Sequence, residues 1–220
     1  MAYLTPARNR TSRQASIRRS TAANQDLFSL MLANIRAVFE QAEDEHESYA
    51  EGLAWYRVAH VFALELSQTY DITLEQAAGV IAVLSPSTNW SRNIALADEL
   101  LSTGDCSHAY GECITKAKRI LQGETLDDVV KIGRKVRNFY QCIMNPDTLG
   151  HVCIDRHAVV LATGLPIQQL DGWLDLSATY QLTAAAYRTI AREVGLLPNQ
   201  VQAITWCQHR RNTDTYKGDF

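Results

Sequence analysis

Apolar residues along this chain recur at helical spacing in one segment after another, and no stretch of any length alternates in the manner of a strand. Asn24 to Gln41 predicts a helix with Leu27, Leu30, Met31, Ile35, Val38 and Phe39 on one face. The acidic run Glu40 to Glu51 reads as a loop or frayed end. Glu51 to Tyr70 predicts a second helix, with His60 on its apolar side as a core histidine. Asp71-Ile72-Thr73 is a turn, and Thr73 caps a third helix whose first turn holds Glu75 and Gln76. That helix, AAGVIAVLSP, is small and apolar on every side, which marks a buried central element, and Pro86 ends it.

The chain then turns polar through Ser85-Pro86-Ser87-Thr88-Asn89-Trp90-Ser91-Arg92-Asn93 before a helix expected over Ile94 to Leu101. Ser102 to Gly111 reads as a loop and Ile114 to Leu121 as a short helix. Gly123 breaks it, and Thr125 caps the piece Leu126 to Val130. Ile132 and Gly133 make a tight turn, after which Val136, Phe139, Tyr140 and Ile143 define an amphipathic helix opened by Lys135. Pro146, Asp147 and Gly150 interrupt the pattern, and the apolar run Val152 to Ile154 leads into Asp155. Asp155 heads a helix, Ala158 to Thr163, that Gly164 stops. Leu165 to Leu176 is irregular. Thr183 to Val194 forms a helix ended by Gly195, and Pro198 starts the last, with Val201, Ile204, Thr205 and Gln208 inward. The tail Asn212 to Phe220 reads as disordered. The expected fold is all-α, two-lobed, with about ten helices: an arm over residues 1–23, a helical domain over 24–211 and a tail over 212–220.

Composition changes this picture little and charge placement more. A net charge of −3 with 46% hydrophobic and 20% charged residues is ordinary for a globular chain. The longest apolar run, Ala77 to Leu84, is far too short for a membrane span. Five cysteines without a CxxC pair point to reduced thiols in a cytoplasmic setting and away from a zinc or iron–sulfur site, so neither metal nor cofactor is expected. Residues 1–25 hold Arg8, Arg10, Arg13, Arg18 and Arg19 and no acid, which leaves a net −8 on the remainder. Such an acid-free, basic terminus suits an arm along a phosphate backbone, and equally a disordered tail or an organellar transit peptide.

Two residues carry the candidate chemistry. A lysine at one helix start and an aspartate at the next can converge on one cleft, and an amine facing a carboxylate is a catalytic pairing. Asp155 also suits the role of a plain N-cap, and Lys135 that of a solvated charge. The loop between the third and fourth helices offers Ser85, Ser87, Asn89 and Asn93 to grip phosphate. Trp90 would stack on a base or wedge into a gap, or else plug the core. Lys131, Gly133 and Arg134 in the hairpin, with Arg156 and His157 after the aspartate, complete the expected contact set. His209, Arg210 and Arg211 suit a helix C-terminus and no more.

Three segments, in order, resemble the helix-hairpin-helix DNA glycosylase superfamily of the endonuclease III class. VIAVLSPSTNW is similar to that superfamily's buried helix and base-probing loop. Val129 to Lys135 resembles its hairpin, and Cys153-Ile154-Asp155-Arg156-His157 the element carrying its essential aspartate. Lys131 stands where a first hairpin glycine is usual, Pro86 and Ser87 replace a glutamine pair, and no cysteine cluster follows Asp155. The resemblance implies an enzyme that binds double-stranded DNA as a monomer, flips a nucleotide and cleaves its N-glycosidic bond, with Asp155 and Lys135 catalytic. The SP and DRHA elements also resemble phage-type relatives, which implies a bacterial or phage-infected host cell. They carry an alternative: a transferase or pyrophosphorylase-like enzyme of thymine hypermodification. A DNA-binding module without catalysis is the competing class.

Overall fold

The computed structural model describes residues 7–107, 109–131, 133–170 and 176–213, with side chains from Asn24 onward apart from Ile167. Within them the chain is all-α, as the apolar spacing predicts. Ten helices follow one another: α1 (Ala7–Glu45), α2 (Glu47–Tyr70), α3 (Leu74–Leu84), α4 (Trp90–Thr103), α5 (Gly111–Leu121), α6 (Leu126–Val129), α7 (Arg134–Met144), α8 (Arg156–Thr163), α9 (Ser177–Val194) and α10 (Pro198–Asn212). A single 3-10 turn, Ile167–Gln169, follows α8. No described helix is long and apolar enough to cross a membrane.

Local signals explain most boundaries. Thr73 and Thr125 each accept a hydrogen bond from the backbone three residues on, while Gln76 and Asp128 return one, closing two capping boxes. Gly164 and Gly195 end α8 and α9 in the left-handed conformation. Four expectations need correction. The acidic run 40–51 is helix, broken only at His46, whose φ of 58° separates α1 from α2. Acidic residues are adequate helix formers, and nothing in that run stops a helix before the bend. The fourth helix begins at Trp90 and not Ile94, because Asn89 caps it by accepting from the Arg92 N–H at 2.9 Å. The fifth begins at Gly111, and the ninth at Ser177 rather than Thr183. Helix α1 is helical from Ala7; the rest of the expected basic arm, side chains included, lies outside the described residues, as does the tail from Asp214.

Two hydrophobic cores divide the molecule into lobes. The first gathers Trp55, Ile81, Leu96, Leu100, Ile120, Phe139 and Ile143 from α2 to α7. The second gathers Met31, Ile35, Phe39, Val159, Tyr187, Ile190 and Ile204 from α1, α8, α9 and α10. Each fully buried aliphatic side chain in these sets contributes roughly 1.5–3 kcal/mol. Helix α10 serves both, giving Ala203 and Cys207 to the first core and Val201 and Ile204 to the second. It lies so close to α2 that a Cβ on Gly52 would stand 2.3 Å from the Ile204 Cα. Only glycine permits that approach, and the approach holds the two lobes against each other.

His60, expected in the core, is half-buried, and its Nδ1 lies 2.8 Å from the Ile143 carbonyl oxygen.

Candidate active site

Between the lobes lies a cavity of about 450 Å³, within the range of small-molecule sites. Two helix N-termini open onto it. Lys135 is the second residue of α7, and Asp155 is the N-cap of α8. Both line the cavity, together with Ser85, Ser87, Asn89, Trp90, Asn93, Arg156 and His157 from the expected set.

The hairpin explains how Lys135 arrives there. Helix α6 is one turn long, and residues 130–133 lead from it into α7; Ile132, expected in the turn, lies outside the described residues. A Cβ on Gly133 would sit 2.7 Å from a methyl of the buried Val130, so the connection needs glycine. No side chain caps α7. The Lys135 ammonium then donates to the Ser85 Oγ at 2.6 Å and lies 5.0 Å over the Phe139 ring. Ser85 in turn donates to the Ala82 carbonyl at the end of the buried α3. A rigid helix end thus fixes the amine.

Asp155 is placed by a different device. Tyr180 of α9 is buried; its hydroxyl donates to the Val152 carbonyl at 3.1 Å and accepts from the Ile154 N–H at 3.2 Å. That clamps the extended strand-like lead into α8. One carboxylate oxygen of Asp155 then accepts from the Ala158 N–H at 2.8 Å. The cap reading holds, and the residue also lines the cavity: one oxygen closes the helix. Among the described residues no hydrogen bond or ion pair joins Lys135 to Asp155. They share a pocket without neutralising one another.

Other expected contacts divide clearly. Trp90 is 4% exposed and packs against Trp55, with ring centroids 5.0 Å apart, and Phe62, at 5.9 Å. It is a cavity wall set in the core, and the expectation of a wedge reaching into DNA is corrected: burial of its hydrophobic ring within α4 fixes it there. Asn93 is 2% exposed and donates to the Ile81 carbonyl at 3.1 Å, tying α4 to α3, so it faces the cavity from inside rather than a phosphate outside. Asn89 spends its side-chain oxygen on the α4 cap. Ser87 is exposed and carries a left-handed φ of 59°, which turns the loop tip outward. Such conformations recur at functional sites. Arg156 is exposed at the cavity and His157 half-buried. Lys131 and Gly133 line an adjacent concavity with Lys116 and Arg119, which meets the first at Pro86. Arg134 is half-buried and lines neither.

Several cavity residues escaped the sequence reading. Trp55 and Tyr56 come from α2, and Gln202, Trp206 and Arg210 from α10. The last three recur every four residues, a helical stripe beside the apolar one, and that spacing was the available signal. Arg210 stacks on Trp206 at 4.5 Å. Cys153 also lines the cavity, but burial pushes its thiol up to about 12, so it stays protonated near neutral pH. A cysteine nucleophile is disfavoured on that ground. His209, facing His157 at 6.3 Å between rings, is lowered from its ordinary value by burial and then by the His157 charge. No group of three or more metal-ligating side chains occurs among the described residues.

Residues 17–213 match the model of a family of unknown function, DUF7178. The chain belongs to that family. No curated protein and no solved structure matches it. For this DUF7178 member the case for an activity therefore rests on the cavity itself. An amine, a carboxylate and several aromatic rings line one open cleft.

Proposed function

We propose that this protein is a DNA base-modifying enzyme of the helix-hairpin-helix glycosylase type. It turns a nucleotide out of the duplex and cleaves its N-glycosidic bond. The observation that carries this reading is the presence of Lys135 and Asp155, from different lobes, in one cavity and unpaired with each other. An ion pair would satisfy both groups and leave nothing for a substrate; an unpaired amine and acid are available to one.

The chemistry follows from their placement. Loss of the base leaves positive charge developing on the sugar, which the Asp155 carboxylate stabilises. Its second oxygen is the one to do so, since the first holds the α8 cap. The Lys135 amine, once deprotonated, attacks the sugar carbon as the base departs with the bonding electron pair, and Asp155 takes the proton released. Ring opening then gives a Schiff base and, by elimination, strand scission. The aromatic walls supply stacking for the extruded base. Exposed Lys131 and Arg156 supply backbone contacts, joined by amides at the uncapped start of α7.

Borohydride trapping tests the reading. Wild-type protein incubated with DNA and borohydride is expected to give a covalent protein–DNA adduct, and Lys135→Ala none. Asp155→Asn is expected to bind DNA within about threefold of wild type while losing turnover. Loss of turnover together with binding points to a structural role for Asp155. Full turnover in both variants removes the two residues from the chemistry, and wild type that binds DNA without adduct or base release is a DNA-binding module only.

A further inference from the structure

Lys135 and Asp155 account for attack on the sugar, but they leave a second polar group of the cavity without a task. Gln202 of α10 is 5% exposed and lines the same space. Its Oε1 accepts from the Tyr56 hydroxyl at 2.9 Å. Its Nε2 donates to no group among the described residues. The amide thus keeps a donor for the cavity it lines, and a ligand that supplies an acceptor can take it up.

The Tyr56 hydroxyl, by donating to Oε1, sets the orientation of the amide. Tyr56 is itself buried against Trp55, with ring centroids 4.8 Å apart, which holds its hydroxyl beside the amide. Trp206 follows Gln202 by one helical turn and lines the same cavity, which puts an aromatic wall beside the amide.

We infer that Gln202 selects the base, donating through Nε2 to a keto oxygen at pyrimidine C4 or purine C6. Uracil, thymine and guanine carry an acceptor there, whereas cytosine and adenine carry an amine. An amine would meet the Nε2 hydrogens donor to donor and be rejected. Tyr56 is the positioning residue that keeps the amide from turning over. This inference rests on the DNA-base reading above and names its substrate class.

The test uses the full chain and five otherwise identical duplexes. Each carries one nucleotide opposite an abasic analogue, with a 2′-fluoro sugar that prevents cleavage and uracil, thymine, guanine, cytosine or adenine as its base. Affinities are read by fluorescence anisotropy at one salt concentration, since phosphate contacts make affinity salt-dependent. Wild type is expected to hold the uracil duplex at least about tenfold more tightly than the cytosine duplex, in line with the cost of an unpaired buried donor. Gln202→Leu is expected to erase that ratio, Gln202→Glu to reverse it, and Tyr56→Phe to shrink it with little change in overall affinity. Gln202→Glu keeps the side-chain size if the leucine variant does not fold, and the wild-type ratio decides without either. A flat ratio, a preference for cytosine, or a ratio that survives Gln202→Leu overturns the inference while leaving DNA binding intact. Failure of wild type to bind any of the five overturns the DNA reading and this inference together.

Discussion

Helices α7 and α8 start at the same cavity and start in opposite ways. Helix α7 has no side-chain cap: Gly133 precedes it, and its second residue sends an ammonium to Ser85. Helix α8 is capped by the residue that also faces the cavity, with Asp155 bound to the Ala158 N–H. An open helix start presents backbone donors and partial positive charge to whatever lies in front of it. A start closed by a carboxylate presents a held anion. In the proposed mechanism the two ends divide the work, one for phosphate and nucleophile and the other for developing positive charge.

The largest effect is expected from separating the two roles of Asp155. Asparagine caps a helix as well as aspartate but carries no charge. Asp155→Asn is therefore expected to keep its melting temperature and lose turnover by roughly a hundred- to ten-thousandfold, the usual worth of a positioned acid–base group. Asp155→Ala is expected to lose the same turnover and about 1 kcal/mol of stability as well. Equal stability loss in both variants, read by denaturant titration, breaks the contrast between a cap and a charge.

Closing in on the α7 side, Gly133→Ala is expected to cost about 1–3 kcal/mol, because the new methyl overpacks the buried Val130. It is also expected to weaken DNA binding through a displaced Lys135. Tyr180→Phe acts chiefly on the α8 side, its hydroxyl also lying 3.5 Å from the Arg134 carbonyl of α7. It removes both hydrogen bonds to the lead into Asp155, at a cost of about 2 kcal/mol. It is expected to lower turnover while sparing affinity.

The smallest effect concerns pH. His209 is lowered in the folded chain from an ordinary value of 6.5, chiefly by burial. Below that value the unfolded chain binds the proton more readily than the folded one, so stability falls as pH drops from about 6.5. Melting curves at pH 7.5 and 5.5 are expected to converge in part for His209→Gln.

Much of this was legible from local chemistry. Thr73, Thr125, Gly164, Gly195 and Pro198 mark helix ends through capping and backbone preferences that depend on a few neighbours, and each sits where the sequence predicts. The all-apolar α3 announced its own burial, and Lys135 and Asp155 announced the helix starts. The polar stretch from Ser85 to Asn93 misled because Asn89 caps a helix inside it. Trp90, Asn93, Leu96, Ala97 and Leu100 in fact form one buried stripe at three- and four-residue spacing, with a polar residue hidden in it. Tyr56 and Gln202 were out of reach for another reason. They meet across 146 positions, and only the close packing of α2 on α10 brings them together.

Mass analysis of DNA digested after incubation with the protein tests the central claim most directly. Wild type is expected to release a free base and Asp155→Asn to release none. Intact nucleosides with an altered base substituent, or DNA unchanged in every base, would contradict the account, because either result means that the amine and acid in the cavity do not break the bond between base and sugar.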